Sequence, residues 1–309
     1  MQYCFSTEVV DLDHQMPNRN KRESRYFWDE LNHLIAAGGF HTIEVPYEVK
    51  WDFGGRSGIP RSLRSITTKF GTASAYMAYL KENGIDGIEC VHFDPSLFCR
   101  GAMPMYFGAA AHFGEEAISF AAETSGRTLT MSVTPPYFAV RGLAGDDLDG
   151  FLSKTGEMIG HLAAFAEEKQ VTFCLKNEYW GLLRGERITA FLDSFGGKVL
   201  LDADTAHLSI AGADTAKVLA DNRGRIGVVH FTDTAFSDET ETWKSALPEF
   251  PAGHATKVFT DPGEGRIDFR SILAALAADG YDGTVVINPR NSNDICRSIL
   301  RAAWTLASF

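Results

Sequence analysis

The stretch "NGIDGIEC", residues 83–90, is one of three similar segments that decide the fold of this chain. The other two are "GGFHTIEV" (38–45) and "DGYDGTVVIN" (279–288). In each of them a helical pattern ends near a glycine, and a short apolar run begins a few residues later. The recurrence predicts a repeating unit in which a helix leads into a strand.

Short apolar runs rich in Val, Ile, Phe and Thr extend this pattern along the whole chain. They predict strands at 3–9, 40–46, 85–93, 128–136, 171–180, 198–205, 226–233 and 284–290. Helical patterns lie between them, as in "SRYFWDELNHLIAAGG" (24–39), where Trp28, Leu31 and Ile35 share one face. Alternating strands and helices imply a parallel sheet with helices on its faces.

The number of these units distinguishes two architectures. Eight helix–strand units over 309 residues predict the α/β class and a single (β/α)8 barrel domain spanning residues 1–309. The alternative is a doubly wound sheet, in which a Gly-rich phosphate loop is expected after an early strand. The glycine cluster "GGRSG" (54–58) does not open a predicted helix, so the barrel is favoured.

Composition and charge narrow the class of protein further. The chain is 45% hydrophobic and carries a formal net charge of -11, which argues against nucleic acid as a partner. No apolar run has membrane-spanning length, and the N-terminal segment does not resemble a signal peptide. The five cysteines are scattered, without a C-x-x-C pair. We therefore expect a cytoplasmic globular protein with reduced thiols and no membrane partner.

Polar side chains stand at or just past the ends of several predicted strands. They are His92 after strand three, Lys176 and Glu178 at strand five, Asp202, Asp204 and His207 at strand six, His230 at strand seven, and Asn288 and Arg290 at strand eight. In a parallel barrel all strands end at the same mouth, where active sites are built. The sequence therefore predicts one shared site formed by residues far apart in the chain.

Glu178, Asp204 and His230 come from consecutive predicted strands and offer two carboxylates and an imidazole. This set suits one divalent ion, Mn, Mg, Co or Zn, with positions left open for substrate oxygens. The alternative is that each residue acts alone, as a helix cap or a buried structural side chain. Lys176 has two interpretations as well: it stabilises an enolate formed on the substrate, or it neutralises Asp202.

Several motifs together resemble the xylose-isomerase-like barrel superfamily, which includes ketose 3-epimerases, hydroxypyruvate isomerase, inosose dehydratase and endonuclease IV. They are "NEYWG" (177–181), "DTAHLSIAG" (204–212), "VHFTD" (229–233), "PGEGRIDF" (262–269) and "GYDGTVVINPR" (280–290). The resemblance covers the whole chain. It implies that Glu178, Asp204 and His230 are metal ligands, and that His207 binds substrate or handles a proton beside the metal.

Two departures from the family pattern bear on function. The family's strand-eight position normally carries a Glu, which is the fourth ligand and, in epimerases, one of two opposed bases; here it is Asn288. An amide oxygen can coordinate a metal, but it cannot accept a proton at neutral pH. Endonuclease IV also uses a histidine from strand four, whereas this chain has "VTPPYF" (133–138) there, so DNA repair is not expected.

Two long loops add further candidates. Segment 236–265 exceeds the usual loop length and carries His254, which we predict as the remaining metal ligand. Asn288 and water are competing donors, and a solvated loop histidine is the plain alternative. Loop 47–62 carries Trp51, which is predicted to stack on the substrate or else to cover the barrel mouth.

These residues predict a divalent-metal-dependent enzyme of carbohydrate metabolism, which removes a proton next to a carbonyl of a keto-sugar or keto-glycoside. The expected catalytic residues are Glu178, His207 and Lys176, and the expected substrate contacts are Asn288, Arg290, His92 and Trp51. Because the usual second base is missing, a lyase acting by dehydration or β-elimination is favoured. The alternatives are a sugar isomerase or epimerase and, in another class, a non-catalytic carbohydrate-binding barrel or assembly subunit. The expected partner is a small carbohydrate; a homo-oligomer or a complex with a second subunit is left open.

Overall fold

The computed structural model describes residues 1–10, 24–48, 59–96, 103–245, 258–290 and 292–309. Its strands are β1 (Gln2–Ser6), β2 (Thr42–Tyr47), β3 (Gly87–Phe93), β4 (Thr128–Ser132), β5 (Thr172–Lys176), β6 (Leu200–Asp204), β7 (Ile226–Phe231) and β8 (Thr284–Ile287). All eight are parallel, and they close into a barrel in chain order, with β8 paired to β1. The predicted (β/α)8 barrel is therefore confirmed.

Helices follow most of the strands and cover the outside of the barrel. They are α1 (Arg25–Ala37), α2 (Leu63–Phe70), α3 (Ala73–Glu82), α4 (Met103–Glu123), α5 (Tyr137–Val140), α6 (Asp146–Glu168), α7 (Arg187–Leu192), α8 (Thr205–Ile210), α9 (Thr215–Asp221), α10 (Phe269–Ala278) and α11 (Ile295–Ala307). Among the helices that the structure describes, none has both the length and the apolarity needed to cross a membrane.

Local chemistry explains where these helices begin. Many of them follow a residue whose side-chain oxygen accepts a backbone N–H of the first turn, which satisfies a donor that the helix itself leaves free. These capping residues are Ser24, Ser62, Thr72, Asp204, Asp214, Asp268 and Asp294.

The glycines of the three repeated segments explain where helices stop and strands begin. Gly39, Gly84 and Gly280 have φ values of +86°, +85° and +70°, in the left-handed region that only glycine adopts without cost. Each one reverses the chain after a helix and sends it into β2, β3 or β8. The repeat in the sequence therefore marks a repeated turn in the structure.

The barrel interior changes from apolar to polar along the strands. Cys4, Cys90, Cys174, Val228 and Val286 form one buried cluster contributed by five strands. Inward-facing side chains on one strand are two residues apart, so the next inward layer begins two residues later on each of these strands. That next layer carries the polar groups of the candidate site.

The predicted strands are all present, but most of the predicted ranges are too long. The range 171–180, for example, becomes Thr172–Lys176, so that Glu178 lies two residues past the end of β5. The polar residues that follow each strand continue its alternation of inward and outward side chains, although the backbone has already left the sheet.

Candidate active site

The polar groups predicted at the strand ends do converge on one buried site. Lys176 ends β5, Asp202 and Asp204 end β6, and His230 lies near the end of β7. Each of these four side chains is at most 1% exposed. Asp204 also pairs with His230 in the β6–β7 register, so the two side chains are neighbours across the sheet.

His230 is held between two carboxylates. Its Nδ1 donates to Oδ1 of Asp202 at 2.6 Å, and its Nε2 donates to Oε2 of Glu44, on β2, at 2.7 Å. Burial alone lowers the pKa of His230, but Asp202 and Glu44 outweigh burial and raise that pKa to about 10. His230 is therefore an imidazolium whose two N–H groups are both in use.

Lys176 is the second buried cation. Its Nζ lies 3.3 Å from Oδ2 of Asp204, and its side chain is 1% exposed. Burial favours the neutral amine, but the charges of Asp204, Glu8 and Glu178 hold the pKa of Lys176 above its usual range. Lys176 is therefore an ammonium ion surrounded by carboxylates.

Asp204 has a structural task in addition to its contact with Lys176. Its Oδ1 accepts the backbone N–H groups of Ala206 and His207 and so caps α8. Its Oδ2 accepts the hydroxyl of Thr232 at 2.8 Å. Both oxygens of Asp204 already have protein donors.

Glu178 and His207 form the pair best suited to proton transfer. Oε2 of Glu178 lies 2.9 Å from Nδ1 of His207, and Oε1 accepts the hydroxyl of Ser132 at 2.8 Å. Burial alone raises the pKa of Glu178, but His207 and Lys176 outweigh it, so the pKa lies well below its usual range. Glu178 is an ionised, oriented carboxylate.

The neighbours of His207 place opposite demands on its two ring nitrogens. Nη1 of Arg290 lies 3.3 Å from Nε2, and an arginine can only donate. Glu178 can only accept, so these two contacts require a proton on Nδ1 and a lone pair on Nε2. The backbone N–H of Tyr179 donates to Nδ1 at 3.1 Å and requires the other tautomer. That bond is aligned, whereas Oε2 of Glu178 lies close to Nδ1 without an aligned hydrogen bond, so each neutral tautomer satisfies some of these contacts and breaks others.

Aromatic rings fix the position of His207. Its ring lies between those of Tyr179 and Phe259, with centroid distances of 5.3 Å and 5.4 Å. The guanidinium of Arg290 lies over the Phe259 ring, 5.3 Å from its centroid. The sandwich holds the imidazole in one plane beside Glu178.

The strand-eight side adds a carboxylate from the start of the chain. Glu8 follows β1, and its Oε2 accepts Nδ2 of Asn288 at 2.8 Å and lies 4.0 Å from Nε of Arg290. Burial alone raises the pKa of Glu8, but Arg290 and Lys176 outweigh burial and keep it well below its usual range. His92 completes this side, with Nδ1 2.8 Å from the hydroxyl oxygen of Thr130.

Four buried polar atoms of the site have no aligned hydrogen-bond partner among the residues that the structure describes. They are Nζ of Lys176, Oε2 of Glu178, Oδ2 of Asp202 and Oδ1 of Asn288. The contact of Lys176 with Asp204 is close enough for an ion pair but is not aligned as a hydrogen bond. A donor and an acceptor left open beside Glu8 are what a polyhydroxylated ligand would satisfy, since each hydroxyl can donate and accept.

Three of the predicted metal ligands, Glu178, Asp204 and His230, are brought together, but their partners do not fit a divalent ion. His230 donates from both ring nitrogens, whereas a metal needs an imidazole lone pair. The amide of Asn288 is neutral, and the ammonium of Lys176 lies among the carboxylates that would bind the ion. Within the described ranges, no three His, Cys, Asp or Glu side chains are grouped as a metal site.

Asp233, at the end of the predicted seventh strand, has a structural role. Its Oδ2 accepts the backbone N–H groups of Gly263 and Gly265, each at 2.9 Å. Its Oδ1 accepts those of Thr234 and Ile267. With four donors, Asp233 fixes the turn of the "PGEG" segment to the residues that follow β7.

One of the two alternatives for Lys176 is corrected: its ion pair is with Asp204 and not with Asp202, because Asp202 pairs with His230. Asp204 is fully buried. Trp51 and His254 lie outside the described residues.

Sequence reasoning missed the partners of the predicted residues. These are Glu8, Glu44, Ser132 and Thr232. Glu8 follows the end of β1, so a search for acids at strand ends finds it, whereas Glu44 lies in the middle of β2 and is not found in that way. Ser132 and Thr232 give no signal of their own, because Ser and Thr are common on strands.

Comparison with known proteins agrees with this architecture. A family model described as the xylose isomerase-like TIM barrel matches residues 33–305. The chain belongs to that family.

Similar solved structures share the fold. The IolI protein with a bound zinc atom superposes with a TM-score of 0.70 at 14% identity, covering 100% of this chain and 97% of the other. The D-allulose 3-epimerase of Methylomonas sp. also gives 0.70, at 16% identity, with 100% and 97% coverage.

Curated relatives match over a shorter segment. The inosose dehydratase of Lacticaseibacillus casei is 38% identical over 90 residues, which is 29% of this chain and 30% of that protein. The inosose dehydratase of Bacillus velezensis is 32% identical over 108 residues, 35% of this chain and 36% of that protein. The chain thus spans about a third of the length of these relatives.

Proposed function

We propose that this barrel is a lyase that removes a proton next to the carbonyl of a keto-sugar or keto-inositol and then expels a β-leaving group. The observation that carries the proposal is the Glu178–His207 contact of 2.9 Å, beside the open N–H donors of Lys176. A base, a proton carrier and a cation for a developing oxyanion are the minimum that this chemistry needs. The relatives named inosose dehydratase support a keto-inositol as the substrate class.

The residues divide the reaction into balanced steps. Glu178 takes the proton from the carbon next to the carbonyl, and the C–H electrons form a C=C bond while the carbonyl oxygen becomes an oxyanion. Lys176 stabilises that oxyanion. When the carbonyl re-forms, the C=C electrons expel the β-hydroxyl, which leaves as water with the proton carried by the Glu178–His207 pair. The products are an unsaturated ketone and water, and Glu178 is again ionised.

A second candidate is an epimerase, and Glu8 is the observation that favours it. Epimerisation needs a second base on the opposite face of the carbon, and Asn288 cannot serve. Glu8 supplies an ionised carboxylate beside Asn288 and Arg290. Under this alternative, Glu178 and Glu8 would share the proton transfers.

Incubation in deuterated solvent with an inosose and with free ketoses tests both candidates. We expect loss of water from the inosose, with little deuterium entering the ketoses. Reversible 3-epimerisation that disappears in Glu8→Gln, while elimination is undetectable, would establish the epimerase instead. Binding of both compounds without proton exchange or turnover would leave only the non-catalytic carbohydrate-binding barrel.

A further inference from the structure

We propose that the Lys176 ammonium is the permanent cation of this site and stands where a divalent ion would otherwise be held. The inference rests on the geometry of this chain's side chains. Only its last step, the role of the ammonium toward the substrate, depends on the proposed function.

The first argument is the position of Lys176. Its Nζ is 3.3 Å from Oδ2 of Asp204, one of the oxygens that a metal ion would need. A divalent ion bound to Asp204 would lie within a few ångströms of a buried ammonium, and the two cations would repel each other with little solvent to screen them.

The second argument is the state of His230. Its two ring nitrogens lie 2.6 Å and 2.7 Å from carboxylate oxygens of Asp202 and Glu44, and because carboxylates accept, both nitrogens carry a proton. To bind a metal it would have to lose a proton and break one of these bonds. One buried carboxylate would then lose its cationic partner, which is costly in a dry site.

The third argument is Asn288. Nδ2 donates to Glu8, so the amide plane is fixed and only the neutral Oδ1 remains available. A neutral oxygen adds little attraction for a hard cation compared with a carboxylate. Lys176, His230 and Asn288 therefore all oppose a divalent ion in the same small volume.

The open N–H donors of Lys176 indicate what the ammonium does instead. A buried ammonium has three donors, and Nζ has no aligned acceptor among the described residues. The carbonyl oxygen of a substrate would accept one of them. As that oxygen gains negative charge during proton removal, the hydrogen bond from Lys176 strengthens. Lys176 would thus stabilise the oxyanion in place of a metal ion.

Metal binding by the intact protein tests the proposal without any substrate. The wild-type chain is stripped with EDTA, equilibrated with Mn²⁺ or Zn²⁺, desalted and analysed for metal content and thermal midpoint. We expect no stoichiometric ion and an unchanged midpoint. Lys176→Glu exchanges the cation for a carboxylate, and we expect it to bind Mn²⁺ at least about tenfold more tightly than wild type. Lys176→Met, which removes the charge without adding a ligand, is the matched control and should bind less tightly than Lys176→Glu.

The outcomes separate this proposal from the proposed function. Stoichiometric metal retained by the wild-type chain would overturn it, even if Lys176→Glu does not fold. A folded Lys176→Glu protein with no gain in Mn²⁺ binding would overturn it too, since Lys176 would not be what keeps the ion out. If the wild-type chain binds no metal and does not turn over a keto-sugar, the result supports the role of Lys176 as the cation of the site and contradicts only the proposed lyase activity.

Discussion

Glu44 and His230 are 186 residues apart in the chain, yet Oε2 of one accepts Nε2–H of the other at 2.7 Å inside the barrel. The bond links β2 to β7, which are not neighbours in the sheet. Asp202 on β6 holds the other ring nitrogen. A single imidazolium therefore ties three strands together where the candidate site begins.

This tie predicts a pH-dependent stability on the alkaline side. The pKa of His230 is raised from 6.5 to about 10 in the folded chain. A raised pKa means that the stabilising contribution is complete below the unfolded value and is lost as the pH rises through the folded value. The free energy of unfolding should fall between about pH 6.5 and 10 in urea titrations.

Two variants separate His230 from other groups that titrate in this range. His230→Gln should be less stable near neutral pH and should lose much of the slope. His161→Gln, at a histidine whose side chain is 56% exposed, should keep it. A slope that is the same in all three proteins would assign the alkaline loss to other groups.

The sequence predicted which polar side chains lie together at the strand ends, but not which carboxylate pairs with which cation. Glu178, Asp204 and His230 could be placed together because parallel strands all end at one mouth. Lys176 does stand opposite Asp202 in the β5–β6 register, which agrees with the alternative that it neutralises Asp202. In the structure Asp202 pairs with His230, and the ion pair of Lys176 is with Asp204. Which carboxylate pairs with which cation depends on side chains from several strands, and local sequence does not encode that.

Glu44 shows a second limit. In "HTIEVP" it alternates with Ile43 and Val45 and looks like the outward residue of a half-buried strand. In a closed barrel both faces of each strand are buried, one by helices and one by the opposite strands. The polar residue is therefore the inward one, and its burial is stabilised by His230 and by the Ser6 hydroxyl, which donates to Oε1 of Glu44 at 2.7 Å.

The Lys176–Asp204 pair is expected to matter strongly for stability. Asp204→Asn keeps an N-cap for α8 but removes the charge beside Lys176. Because breaking a buried ion pair leaves one charge uncompensated, unfolding free energy should drop by roughly 3–5 kcal/mol. Urea denaturation of Asp204→Asn, Lys176→Met and the double variant measures the coupling. We expect the double variant to lose less unfolding free energy than the two single variants lose together. If the losses simply add, the two charges do not interact.

Replacement of Glu178 should remove activity without removing the fold. Glu178→Gln keeps the shape of the side chain but cannot take a proton, so turnover of a keto-sugar substrate should fall by about 10²–10⁴-fold. Thermal unfolding and substrate affinity report the fold and the binding separately. Glu115→Gln, at a side chain that is 37% exposed, is the matched control and should retain wild-type turnover. Full activity in Glu178→Gln would show that another residue is the base.

The Asp233 turn predicts a steric effect at a glycine. A Cβ at Gly265 would lie 2.1 Å from Oδ1 of Asp233 and 2.7 Å from the backbone nitrogen of Thr234. Gly265→Ala should therefore lower unfolding free energy by about 1–3 kcal/mol or more, through overpacking and lost hydrogen bonds. Gly156→Ala in α6 meets nothing within 4 Å and should be neutral or slightly stabilising. Equal stability of the two variants in urea titrations would show that the Asp233 turn accommodates the added methyl group.

The distance in sequence between Glu44 and His230 also has a consequence for biosynthesis. His230 is the 186th residue that the ribosome adds after Glu44. Until it is made, the carboxylate lacks the cation that it contacts in the folded chain, so the inward side of β2 is not stabilised. A nascent chain that stalls before β7 should remain sensitive to protease around β2. Stable closure of the barrel therefore depends on His230, which is made late in translation.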